Sequence, residues 1–67
     1  MQLSDWLHKQ RKTPQDFAKE INVSWRTVYR WTSGERIPRP MVLARIRAAT
    51  AGAVTADDFA TAFHAFH

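Results

Sequence analysis

Only Asn22 and Val23 stand between two segments that each read as a short amphipathic helix, so the chain must leave one helix and enter the next almost at once. Thr13 precedes Pro14 and lies three residues before Asp16. That is capping-box spacing, with aspartate in place of glutamate and proline at the first helical position. Phe17, Ala18 and Ile21 recur at helical spacing and form the buried face of this helix, which stops at about residue 21. Asn22 suits the turn because asparagine tolerates left-handed backbone. Ser24 is an N-cap residue for a helix over about 24–32 that ends at Ser33-Gly34, where Gly34 supplies positive φ.

At roughly 100° per residue, taking Ser24 as zero, Thr27, Val28 and Trp31 lie within about 60° of that direction. Trp25, Arg26, Tyr29 and Arg30 span about 100° to 240°, the opposite arc. Val28 and Trp31 therefore close on Phe17, Ala18 and Ile21. The arc of two arginines and two amphipathic aromatics is left outside, where it suits a partner. Arginine meets guanine O6 and N7 bidentately, and an aromatic edge covers a thymine methyl, a sugar or a phosphodiester.

The rest of the chain is helical in the same idiom. Leu3, Trp6 and Leu7, with Ser4 as cap, predict a first helix over about 3–11, followed by the charged run HKQRK. Glu35 to Arg39 reads as a basic loop. Pro40 begins a helix with Leu43 and Ile46 inward, Arg45 and Arg47 outward, and Gly52 at its end. Thr55 and Asp58 repeat the spacing of Thr13 and Asp16, predicting a last helix over about 56–65 with Phe59 in the core. Strand alternation and low-complexity sequence are absent. The expectation is one all-α domain over residues 1–67, a compact five-helix bundle.

A chain of 67 residues without cysteine has a thin core and neither a disulfide nor a thiolate metal site to support it. No leader and no apolar run long enough to span a bilayer is evident, so a cytoplasmic protein is expected. Residues 1–47 hold ten Lys and Arg against four Asp and Glu, net +6, while residues 48–67 hold only Asp57 and Asp58, net −2. This asymmetry places a polyanion-binding surface in the first two-thirds of the chain. His64 and His67 share a helical face but lack a carboxylate or thiolate neighbour, so no metal site is predicted. No phosphate loop, nucleophile elbow or carboxylate pair is present, so neither an enzyme nor a cofactor is expected. The aromatic signature of an RNA-recognition sheet is missing too.

The segment PQDFAKEINVSWRTVYRWTSG resembles the helix-turn-helix of lambda-repressor-like, Cro-type DNA-binding proteins (the XRE family), with the motif over about 14–32. Ala18 stands at the small crossing position, Val23 at the turn hydrophobe, Ser24 at the cap, and Val28 and Trp31 at core positions. IRAATAGAVTADDF is similar to the end of short Cro-like and YdaS-like phage regulators. Two positions depart from the pattern: Asn22 replaces the usual turn glycine, and Pro14 the usual glutamine. The resemblance implies base reading by Trp25, Arg26 and Arg30. Ser24, Thr27 and Tyr29 support them, and Gln15, Arg36 and Arg39 hold the DNA backbone.

The implied function is transcriptional repression, with the helix over 24–32 in the major groove of a pseudo-palindromic operator. The implied setting is the bacterial or phage nucleoid, and the implied assembly is a dimer. Phe59, Phe63 and Phe66 fall on one helical stripe, and Phe63 and Phe66 are the dimerisation candidates. Two alternatives remain open at this point. One is an antitoxin or antirepressor that seizes a protein partner. The other is an excisionase-like architectural DNA binder, which needs a strand wing after Pro38.

Overall fold

The computed structural model describes residues 1–66 as helices joined by short turns, with no strand among them. In chain order they are α1 (Leu3–Lys9), α2 (Pro14–Ile21), α3 (Trp25–Thr32), α4 (Pro40–Ala49) and α5 (Ala56–Phe66). The Cα radius of gyration is 10.5 Å, close to the value of about 11 Å expected for a compact chain of this length. His67 lies outside the described residues, and with it the pairing of His64 and His67 considered above.

A single apolar cluster unites the helices. Phe17, Val28, Ile46 and Val54 are fully buried, and Leu3, Trp6, Leu7, Ala18, Ile21, Trp31 and Phe59 complete it. The large rings meet edge-on: Trp6 with Phe17 at 5.6 Å and Trp31 with Phe59 at 6.2 Å between centroids. Each such pair adds about 0.5–1.5 kcal/mol to the burial itself. Phe59 thereby fastens α5 to the inner face of α3. Leu43 is only half-buried, so Ile46 carries most of the packing of α4.

Local chemistry sets the helix ends. At α2 the Thr13 hydroxyl oxygen accepts the Asp16 N–H at 3.1 Å, and Asp16 accepts the Thr13 N–H at 3.1 Å, a reciprocal box. The similar-looking start of α5 is different. Asp58 accepts both the Thr55 N–H at 2.8 Å and the Thr55 hydroxyl at 3.1 Å, so the hydroxyl donates instead of capping. The same Asp58 oxygen also takes the Met1 ammonium at 3.0 Å. At the first helix, Ser4 is not the cap. The helix begins at Leu3, where the spacing placed it, with the cap position two residues before Ser4 at Gln2, which makes no side-chain cap bond. Buried Leu3 joins the helical stripe of Trp6 and Leu7.

Three helices end in the same reversal. After α3, Gly34 (φ +82°) donates to Trp31 O at 3.2 Å and Glu35 donates to Arg30 O at 2.9 Å. That pair of bonds is a Schellman motif, in which the left-handed residue is usually glycine. After α1 the equivalent donors are Arg11, to His8 O at 3.1 Å, and Lys12, to Leu7 O at 2.9 Å. After α4 they are Ala51, to Ala48 O at 3.3 Å, and Gly52, to Arg47 O at 2.8 Å. The first helix thus stops at Lys9 and not near 11. The fourth stops at Ala49, with the left-handed position at Ala51 preceding Gly52. Buried Thr50 secures that corner by donating to Ile46 O at 2.8 Å and accepting the Val54 N–H at 3.3 Å.

Gly34 is fixed by contact as well as by φ. A Cβ there would lie 2.9 Å from the carbonyl carbon of Ala62 and closer still to its oxygen. Gly34→Ala therefore strains the left-handed turn and drives it against the backbone of α5. The expected loss is about 2 kcal/mol or more, read as a lower thermal midpoint. A midpoint equal to that of the parent would contradict the packing of this turn on α5.

Asp16 is held below the ordinary aspartate value, first by the Thr13 N–H and then by the Thr13 hydroxyl. Burial pushes Asp58 upward, but the Thr55 N–H, the Met1 ammonium and the Thr55 hydroxyl together outweigh it, so it too is lowered. Their stabilisation is complete above the unfolded value of about 3.9 and is lost as pH falls through the lowered folded values. Asp16→Asn should therefore be less stable than the parent at neutral pH, with the gap closing below about pH 4. Denaturant titrations from neutral to acid pH check this, and a gap that widens towards acid would contradict it.

Candidate nucleic-acid interface

The interface is built on the turn between α2 and α3. Asn22 takes left-handed backbone (φ 59°, ψ 52°), and the Val23 N–H donates back to Ala18 O at 2.9 Å. Val23 packs half-buried against the core. Ser24 then caps α3, its hydroxyl oxygen accepting the Arg26 N–H at 3.3 Å and its carbonyl accepting Thr27 and Val28. This turn directs Val28 (0% exposed) and Trp31 (4%) inward.

The outer arc is bare. Trp25 is 45% exposed and Tyr29 58%, and Arg26 and Arg30 are exposed beside them. The Arg26 guanidinium lies over the Trp25 ring at 5.8 Å. A cation in that position is attracted by the ring face, so Trp25 limits where Arg26 points. Thr27 is half-buried at the edge of the arc, and Ser24 is exposed with its hydroxyl engaged in capping. Gln15 is exposed in the first turn of α2. There the capping box already occupies the Asp16 N–H, and Pro14 has none to offer.

On one side of α3 the loop over 33–39 folds back. The Arg36 N–H donates to Arg30 O at 3.3 Å, which draws Arg36 next to Arg30. Between loop and helix runs a groove of about 380 Å³ lined by Thr27, Arg30, Arg36 and Arg39 over a floor including Val23 and Trp31. Pro38, buried, holds the loop in place. On the other side, a cleft of about 270 Å³ separates α3 from α1, with His8, Lys12 and Pro14 facing Tyr29 and Thr32. Lys12 is committed elsewhere: its ammonium pairs with Glu20 at 2.6 Å and stands 5.4 Å from the Trp6 ring centre. Among the described residues no other Lys or Arg has a carboxylate within ion-pair distance. The cations along α3 and its flanking loop thus have no carboxylate partner among the described residues.

Sequence reasoning missed that Val23, Pro38 and Val42 line this groove, and that Glu20 withdraws Lys12. The pair is eight residues apart, outside any helical spacing, so nothing local announces it. Phe63 is half-buried and lines a hollow with Glu35, Arg36 and Ile37, away from the outer arc of α3, and Phe66 is 56% exposed. His64 belongs to no cluster of three or more metal-ligating side chains among the described residues.

A capped helix that turns two arginines and two aromatics outward, docked across a second helix by a short turn, defines a helix-turn-helix DNA-binding protein. The family model described as Helix-turn-helix matches residues 6–51. The chain belongs to that family, in its lambda-repressor and Cro-like, XRE-type branch. No curated protein and no solved structure matches the chain. α4 occupies the segment after Pro38, where the excisionase-like alternative needs a strand wing. No helix among the described residues is long and apolar enough to cross a membrane.

Proposed function

We propose that this protein is a sequence-specific repressor that lays α3 in the DNA major groove and occludes a promoter. The observation that carries this reading is the bare arc of Trp25, Arg26, Tyr29 and Arg30 on a helix whose opposite face is core. Arg26 and Arg30 stand one turn apart and reach guanine edges, and Trp25 both braces Arg26 and offers apolar contact to a thymine methyl. Tyr29, Thr27 and Ser24 contact sugars and phosphates at the margins.

Arg36 and Arg39 grip the phosphates of one strand along the groove beside Arg30. Gln15 contributes at most through its own N–H and amide, because the neighbouring helix-end donors are occupied or missing. The whole chain acts as one DNA-binding unit at the nucleoid of a bacterium or in a phage-infected cell.

One such unit reads only a few base pairs, so a second copy is required for a useful site. The exposed end of α5, at Phe66 with Phe63 behind it, is the proposed dimer contact, setting two recognition helices about 34 Å apart on a pseudo-palindrome. Burial of these rings on association follows the ordinary hydrophobic driving force.

Two outcomes test the proposal. On a site selected from random duplexes, Arg26→Ala or Arg30→Ala should each cost about 1–3 kcal/mol and relax preference at one base position. Arg36→Ala and Arg39→Ala should instead weaken all duplexes alike and flatten the salt dependence. Full discrimination by Arg30→Ala would exclude the assigned reading face. In sedimentation, the parent should occupy its operator as two copies, and Phe66→Asp should bind as one copy with lower affinity. A parent that binds as a single copy would refute the dimer.

A further inference from the structure

The groove between α3 and the loop over 33–39 joins two chemistries, of which a phosphodiester uses only one. Its rim carries Arg30, Arg36 and Arg39, and no acidic side chain among the described residues lines it. Its floor is apolar: Trp31 and Pro38 are buried, Val23 and Val42 are half-buried, and Ile37, 43% exposed, forms the lip. Three other hollows of the surface differ. The one between α2 and α4 sets Glu20 beside Arg45, and the one at Phe63 sets Glu35 beside Arg36. In the cleft against α1 the cation is Lys12, which is already paired with Glu20. Of these four, the groove beside Arg30 alone combines charge of one sign with an apolar floor.

Its shape is fixed by the fold. Trp31 is held edge-on by Phe59 at 6.2 Å, and Val23 and Val42 pack on the core. The loop is tied to α3 by the Glu35 and Arg36 N–H groups, both donating to Arg30 O, at 2.9 and 3.3 Å. Small-molecule sites are mostly preformed, predominantly apolar hollows of about 300–1,000 Å³ with a few placed polar groups. At about 380 Å³ this groove stands at the small end of that range. A DNA phosphate satisfies the arginines but has no apolar body to cover the floor. An anion with a flat apolar body satisfies both, because guanidinium forks pair with carboxylates and their planes stack on rings, while ring burial on the floor is favourable in itself.

We propose that this groove binds a small aromatic carboxylate of one or two rings, with its carboxylate among Arg30, Arg36 and Arg39 and its ring over Trp31 and Val42, and that the occupied protein releases DNA. The site stands independently of DNA binding. The release rests on the proposed docking of α3, since Arg30 cannot serve the ligand and a guanine at once. Binding of either ligand then weakens the other by the same factor.

The probe is 1-naphthoate, titrated into the protein and followed through its amide and indole N–H resonances. Shifts should saturate with a dissociation constant on the order of 1 mM and centre on Val23, Trp31, Ile37 and Val42. Naphthalene-1-methanol, the same ring without the charge, should bind about tenfold more weakly. Ile37→Asp sets a like charge at the exposed lip; it should keep the parent's thermal midpoint and lower 1-naphthoate affinity about tenfold. With sodium chloride matching ionic strength in the control, 1-naphthoate at about ten times its dissociation constant should lower affinity for the selected duplex about tenfold. Shifts that fail to saturate, that centre elsewhere, or that the neutral analogue or Ile37→Asp reproduces at equal affinity would overturn the site. Saturation at the groove with DNA affinity unchanged would refute the release and leave the site. If the parent binds no duplex, the docking fails and the release with it, while the titration still decides the site.

Discussion

The burial of Val28 and Trp31 against the face of α2 formed by Phe17, Ala18 and Ile21 is the constraint on which the rest depends. A short helix has little stability of its own in water, so α3 exists as a helix because this face is packed. Once Val28 and Trp31 are fixed inward, the rotation of the helix is fixed as well. Trp25, Arg26, Tyr29 and Arg30 then have no direction left but outward. The edge-on contact of Trp31 with Phe59 extends the same constraint to α5. The outer arc of α3 is thus held from behind by α2 and α5.

Electrostatics is arranged around that frame. Two of the four acidic groups in residues 1–47 are engaged locally, Asp16 in a helix cap and Glu20 with Lys12. The arginines of α3 and of the loop beside it have no carboxylate partner among the described residues. Exposed cations of this kind contribute little to folding, and they stay available for counterion release at a polyanion. The charge asymmetry along the sequence is thus a division of labour. On the proposed docking the basic portion carries the interface, while Asp58 at the acidic start of α5 is joined to Met1.

Much of this was legible because its signals are local. The Thr13 and Asp16 pair, the Ser24 cap, Asn22 at the turn and the two faces of α3 all follow from spacing within one or two helical turns. At Thr55 and Asp58 the same spacing located the start of α5, but there the hydroxyl donates to the carboxylate, which also takes the Met1 ammonium, instead of accepting. Ser4 failed as a cap because Leu3, buried in the core, is already helical, which puts the cap position at Gln2. The left-handed turns at Arg11 and Ala51 left no trace in composition, since neither residue favours that conformation. The walls of the groove and the Lys12 to Glu20 pair depend on segments brought together only by folding.

The most direct test of the central claim is methylation interference on the selected duplex, because guanine N7 lies in the major groove. Guanines at the centre of each half-site should block binding when methylated at N7, whereas a ligand filling the minor groove there should leave binding intact. Indifference to N7 methylation together with loss of binding to the minor-groove ligand would contradict the account, since the outward face of α3 would then not be what enters the DNA.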